Sequence, residues 1–202
     1  MSYSTVKDII RYSQQLHRHA SNLFEQLRDQ TQRERVEAGL RSQGRWWAEH
    51  FSREHDWNEI PGEDNHFRYR PLRRLLLRLG EGCRPDDLAL VLAGAATVGT
   101  PVEISVADEL ASQEGWGSLL DAIHGVHEGA EGCAQRVGGH LDRVRVLGRV
   151  EAPVQEACRQ HGVDLLSMAA LAHGRFELLR VVREQSISHA YHRYGNLGER
   201  ES

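Results

Sequence analysis

The chain has 202 residues, 40% of them hydrophobic and 27% charged, and a formal net charge of −4. That balance fits a soluble globular protein with apolar content for one sizeable core, and it lacks the basic footprint of a nucleic-acid binder. No apolar run approaches the roughly 18 residues of a membrane-spanning helix, so no membrane partner is expected.

The N-terminal stretch MSYSTVKDII has no charged-then-apolar signal pattern, and the expected compartment is the cytoplasm. Cys83, Cys133 and Cys158 are scattered and form no Cys-x-x-Cys pair, which fits reduced thiols rather than a disulfide framework. Lys7 is the only lysine, so the rest of the chain has no Schiff-base or phosphate-gripping lysine.

Thr5 to about Leu40 reads as one long amphipathic helix. Val6, Ile9, Ile10, Leu16, Ala20, Leu23, Phe24 and Leu27 recur mostly at three- and four-residue spacing. Ser4 or Thr5 can cap it, with Asp8 in the first turn. The seam weakens between Gln30 and Glu34, and Gly44 is a candidate break. Such a helix is marginal alone, so it must pack on the main domain or on another chain.

The chain divides into this helix (1–43), an aromatic-rich connection (44–71) and an α/β domain (72–202). Trp46, Trp47, Phe51 and Trp57 are expected to cover an apolar surface, a stacking platform being the alternative. Residues 58–71, NEIPGEDNHFRYRP, read as loop, with Pro61-Gly62 as a turn signal.

An alternating pattern follows. Leu75–Leu79, Pro101–Val106, Val144–Leu147 and Val163–Leu166 read as strands. Pro85–Val98, Trp116–Val126, Ala130–Arg143 (interrupted by Gly138-Gly139), Val154–His161 and Arg175–Gln185 read as helices. Pro85 suits a first helical position, Asp86 and Asp87 a first turn, and Gly99 a stop. The expected fold is therefore α/β: a Rossmann-like, mainly parallel sheet of four or five strands covered by helices, with the long N-terminal helix added.

The turn Gly80–Pro85 stands where a phosphate-cradling turn would, with Gly80 and Gly82 as weak candidates for holding NAD. Its chemistry is poor: Glu81 sits inside it, Asp86 and Asp87 occupy the helix start, and Pro85 removes a backbone donor. No cofactor is expected. Cys83 lies in this turn beside Arg84, while Cys133 and Cys158 read as small core residues. His124, His127 and Glu128 fall within about one helical turn and are weak metal candidates, short of the three or four converging ligands a site needs. The arginines 68, 70, 73, 74 and 78 are expected to pair with Glu59, Glu63, Asp64 or a partner's carboxylates.

The stretches REQSISHAYHRYGNLG (183–198), AHGRFELL (172–179), FSREHDWNEIPGEDNHFRYRPLRRLLLRLGEG (51–82) and AGAATVGTPVEISVAD (93–108) resemble the C-terminal end of the proline utilization A family, over about residues 44–198. Those bifunctional enzymes join a proline dehydrogenase barrel to an L-glutamate gamma-semialdehyde dehydrogenase. The resemblance implies a non-catalytic, aldehyde-dehydrogenase-like C-terminal domain. The catalytic motifs of both enzymes and the nicotinamide-binding glycines have no counterpart here, so no catalytic residue is assigned. Residues 1–43 are only loosely similar to a ferritin-like first helix and lack its Glu-x-x-His pair.

The implied function is a structural or interaction module of proline-to-glutamate oxidation that packs on or bridges dehydrogenase modules. Its partner is a dehydrogenase module or a second copy. Phe176, Leu179 and Val182 would anchor a terminal helix, and Tyr191, His192, Arg193 and Tyr194 would make polar contacts. The alternatives are a degenerate NAD-binding oxidoreductase-like protein, or a detached fragment of the split enzyme with no independent role.

Overall fold

The five residues of strand β3, Leu75–Leu79, are all buried, because strands flank it on both sides and helices cover both faces. The computed structural model describes residues 18–27, 29–121, 123 and 125–190. In it β3 is the centre of a five-stranded parallel sheet, in the order β5-β4-β3-β6-β7. The others are β4 (Val102–Val106), β5 (Val126–His127), β6 (Arg143–Leu147) and β7 (Asp164–Leu166). Leu75 stands level with Val102 of β4 and Arg143 of β6.

A parallel strand enclosed on both faces reads as a continuous apolar run, which is how Leu75–Leu79 reads. Leu75, Leu77 and Leu79 enter the larger core with helix α3 (Pro85–Val98), while Leu76 enters a smaller one with α6 (Ala130–Gln135) and α7 (Ala152–His161). Each enclosed leucine contributes about 2 kcal/mol relative to exposure. Helix α3 has the expected bounds: proline opens it, and Gly99 closes it in the left-handed region at φ 84°. The architecture is α/β and Rossmann-like, as the strand–helix alternation indicates.

Several expectations are corrected. The N-terminal helix is not continuous: α1 covers residues 18–26 in its described part, and α2 (Gln30–Trp46) starts afresh. There Asp29 caps it by accepting a hydrogen bond from the Gln32 N–H at 3.0 Å. The earlier part, from Thr5, lies outside the described residues. Gly44 does not end α2, which runs on into a π-helix, Trp47–Phe51, closed by a Ser52 N–H to Trp47 O bond of 3.0 Å.

The stretch expected as a helix from Trp116 to Val126 is only α5 (Gly117–Asp121), following a short α4 (Asp108–Ala111). Beyond it the chain presses on β4, where a Cβ on Gly125 would lie 2.7 Å from Val106 Cγ2, and Val126–His127 pair as β5. Helix α6 likewise stops at Gln135, well before Arg143, which begins β6.

The largest correction is a second, antiparallel sheet, β1-β2-β8. The segment read as a loop contains β1 (Glu54–His55) and β2 (Glu63–Pro71), and the helix expected over Arg175–Gln185 is only α8 (Gly174–Leu178). The chain then extends as β8 (Val182–Ala190), which pairs with β2 along its whole length. Phe67 and Tyr69 alternate with Arg68 and Arg70, so one face of this ribbon is aromatic and the other charged. Tyr69 packs on Phe51 with ring centroids 4.6 Å apart, and Phe67 packs on Trp57 at 4.8 Å.

Candidate functional site

The order β5-β4-β3-β6-β7 reverses direction at β3: the chain moves outward through β4, then returns to the other side of β3 as β6. In open α/β sheets a ligand cleft forms at such a switch point, beyond the carboxyl ends of the strands. A cleft of about 390 Å³ lies there, and its charged lining is Glu81, Glu109, Glu151 and Arg149.

The residues at this mouth do not fit a dinucleotide. Gly80 and Gly82 do form a tight turn between β3 and α3, with Gly82 at φ 79°, but the chain itself closes over it. Gly148, at φ 97°, lies so near that a Cβ there would be 2.4 Å from Glu81 O and 2.8 Å from Cys83 N. The Arg149 N–H donates to Glu81 O at 2.7 Å, so this turn carbonyl is already satisfied. Asp86 and Asp87 occupy the first turn of α3, both buried, where a pyrophosphate would need bare N–H groups. Arg35 of α2 pairs with both carboxylates, and Arg84 pairs with Asp86.

Beneath the cleft lies a charged layer that the sequence reading did not find. Arg78, fully buried, donates Nε and Nη2 to the two oxygens of Glu151 at 2.8 Å each. Its Nη1 donates at 2.9 Å to both Ser105 Oγ and Glu128 O. Ser105 Oγ donates to Glu128 Oε1 at 2.6 Å, and Arg136 bridges Glu128 and Glu103 at 2.8 Å each. These bonds tie β3, β4, α6 and the loop after β6 together. Every donor that Arg78 uses is taken up by the protein, so this is a structural clamp rather than a reactive centre.

The thiols are equally unsuited to attack. Burial pushes all three upward: Cys83 well above the usual range, with Asp87 and Asp86 adding to the effect, Cys158 to about 11, and Cys133 upward as well. Cys83 is no activated nucleophile despite Arg84 beside it.

His124 lies outside the described residues. His127 is in β5, and the Glu128 carboxylate is held by Ser105 and Arg136. Among the described residues no three His, Cys, Asp or Glu groups are placed to hold a metal ion.

The anchor residues separate. Val182 is 3% exposed and belongs to this chain's own core, so it is not available to a partner, whereas Phe176 is 53% and Leu179 36% exposed. The three do not share a helix, because α8 ends at Leu178 and Val182 begins β8. Tyr191, His192, Arg193 and Tyr194 lie outside the described residues.

Four arginines of the run pair with acids other than those expected, and Arg70 makes no ion pair among the described residues. Arg68 bonds Glu54, Arg73 bonds Asp142, Arg74 bonds Glu103 and Arg78 bonds Glu151. Only the alternation of the run was readable from sequence, since its partners come from as far as the loop after β6. The other exposed element is β8 itself: after Val182 every residue to Ala190 is exposed, and among the described residues β2 is the only strand paired with it.

No family model matches the sequence, and no curated protein matches it. Among solved structures, the chain is similar in fold to part of Proline Utilization A (PutA) from Corynebacterium freiburgense. The TM-score is 0.55 and the identity 24%, covering 85% of this chain but 14% of that one. Fainter likenesses are to an aldehyde dehydrogenase from Bacillus cereus (TM-score 0.48, 10% identity, 78% of this chain and 38% of that) and to lactaldehyde dehydrogenase from Escherichia coli (0.49, 13%, 80% and 40%). The chain thus spans a minor part of each. Among the described residues no helix is long and apolar enough to cross a membrane.

Proposed function

We propose that this chain is a non-catalytic, aldehyde-dehydrogenase-like structural module of proline-to-glutamate oxidation, which packs on or bridges dehydrogenase modules in the cytoplasm. The observation that carries this reading is β8: a nine-residue strand that, among the described residues, is paired on one side and exposed along nearly all its length. An open edge of that length is a template for another chain, and soluble proteins usually cover or break it. The aromatic face of the ribbon is held on Phe51 through Tyr69.

The closed Gly80–Pro85 turn, the buried Asp86 and Asp87, and the raised thiols support the non-catalytic part. The resemblance of residues 44–198 to the C-terminal end of proline utilization A supplies the pathway. Phe176 and Leu179, both exposed, are the apolar contacts of the docked state.

The test is sedimentation of the purified chain with the purified dehydrogenase module of its host. Co-sedimentation that is lost when residues 186–202 are deleted is the expected result. A chain that sediments alone at every concentration overturns the docking role. Saturable NAD binding in calorimetry, abolished by Gly82→Val, overturns the non-catalytic one.

A further inference from the structure

The outer face of the ribbon carries two opposed cations. Arg70 of β2 and Arg183 of β8 are directly opposite in the antiparallel register, so their side chains leave the sheet on the same face. Both residues are exposed. Like charges so placed repel and destabilise the pairing. The next pair, Arg68 opposite Gln185, is balanced: Arg68 donates to Glu54 and to Gln185 at 2.7 Å each.

Arg70 and Arg183 have no such relief, since neither makes an ion pair or side-chain hydrogen bond among the described residues. Asp142, whose carboxyl feels the charge of Arg183, is already held by Arg73, from Nε at 2.7 Å and through the Arg73 N–H. Glu184 stands opposite Tyr69, on the other face.

The repelling pair lies beside an open edge. A strand laid along β8 would run about 4.8 Å from it and place alternate side chains on the arginine face. A carboxylate there reaches both guanidinium groups and forms charge-assisted hydrogen bonds. A second copy of β8 laid antiparallel does not supply it, because its residues on that face are Arg183, Gln185, Ile187 and His189. A nucleic acid offers no peptide ladder to the edge, and the chain's net charge of −4 opposes a polyanion.

We propose that the β8 edge takes up an extended acidic segment of a partner protein, whose Asp or Glu side chain bridges Arg70 and Arg183. The proposal rests on the ribbon being a docking surface and adds the chemistry of what docks.

The probe is a fluorescent peptide of about ten residues, alternating Thr or Val with Glu, beside its Gln counterpart. Both are titrated by anisotropy against the full chain at low salt. The Glu peptide should bind about tenfold tighter than the Gln peptide, and the Arg70→Ala/Arg183→Ala chain should lose that preference. In a separate melt, Arg70→Glu should raise Tm by pairing with Arg183.

Equal binding of the two peptides removes the acidic requirement while leaving edge docking intact. Absence of binding by both, with dehydrogenase association retained, moves docking to another surface and overturns this inference alone. Tighter binding of a single-stranded oligonucleotide, charge-dependent self-association of the chain, or a Tm that does not rise in Arg70→Glu also overturns it.

Discussion

Arg78 and Glu151 form a two-pronged ion pair, 2.8 Å in each arm, with the arginine side chain wholly enclosed between β4 and the loop after β6. Burial alone would lower the arginine's pKa, but its hydrogen bonds to Glu151 and the nearby charges of Glu151 and Glu128 together hold the group above its ordinary value. The pair fixes the mouth of the sheet where a related fold would open for a ligand.

Removing one half of such a pair leaves the other desolvated and unmatched, whereas removing both does not. Arg78→Met should therefore cost about 3 kcal/mol in urea unfolding, and Arg78→Met/Glu151→Met should recover part of that loss. Additive losses would mean that the two side chains act independently.

The closure over the turn makes a sharper contrast. Gly82 and Gly148 both have positive φ, but a Cβ on Gly82 meets nothing within 4 Å, while one on Gly148 meets three backbone atoms within 3 Å. Gly82→Ala should cost about 1 kcal/mol, the left-handed backbone alone. Gly148→Ala should cost more than about 2 kcal/mol, because two backbone segments must separate. Equal losses in denaturant titration would show that the turn is not closed as described.

The parts of the fold that the sequence displayed were those decided locally. Helix α3 is bounded by a proline and a glycine with the right backbone requirements, and the buried parallel strand β3 is an uninterrupted apolar run. The ribbon was hidden for a physical reason. Leu178, Leu179, Val181 and Val182 sit at helical spacing, and what makes Val182–Ala190 a strand is a ladder to β2, more than a hundred residues earlier in the chain. The alternation of Phe67 and Tyr69 with Arg68 and Arg70 was the one local sign, masked by the surrounding charge. Nothing near Glu151 marks it as the partner of Arg78; only the sheet order brings them together.

The arginine-paired carboxylates make stability acid-sensitive. Burial pushes Asp86 upward, but the hydrogen bonds from Arg84 and Arg35 outweigh it and leave the carboxyl below its ordinary value of 3.8. Asp142 is lowered in the same way by Arg73, and Glu103 by Arg136 and Arg74. A carboxyl whose folded pKa is depressed contributes stability that is complete above its unfolded value and is lost as pH falls through the folded one. Melting temperature should thus stay level from neutral down to about pH 5 and drop below about pH 4. Arg35→Gln should be less stable at neutral pH, with the gap to wild type narrowing in acid; a gap independent of pH would remove Asp86 from the account.

The thiols give a reading of the mouth in the native state. With Cys158 pushed up to about 11 by burial, on the order of one such group in a thousand is thiolate at about pH 8. Cys83 is raised further, and all three are buried. A disulfide-exchange reagent should find no fast-reacting thiol in the folded chain, and all three after denaturation. Fast native labelling of Cys83 would restore it as a candidate nucleophile.

The docking of α2 on its own domain depends on two glycines. Gly39 faces Leu90 of α3, where a Cβ would lie 2.2 Å from Leu90 Cδ2. Gly174, at the start of α8, lies on the backbone of Ser42 and Gln43, where a Cβ would be 2.4 Å from three atoms. Its N–H donates to Ser42 Oγ at 2.8 Å, and Gln43, 1% exposed, donates to Leu90 O at 3.0 Å. Leucine 90 has a flexible side chain that yields to a methyl group, whereas the α2 backbone does not. Gly174→Ala should therefore destabilise more than Gly39→Ala, by about 1–2 kcal/mol, and should raise protease cleavage within residues 30–46. The shift also pulls α8 from β6, where Glu177 holds the buried Arg145, so urea unfolding should lose cooperativity at the α2–α8 seam before the parallel sheet opens. If Gly174→Ala unfolds like wild type, α2 is not seated on α8, and its apolar face is left for another chain.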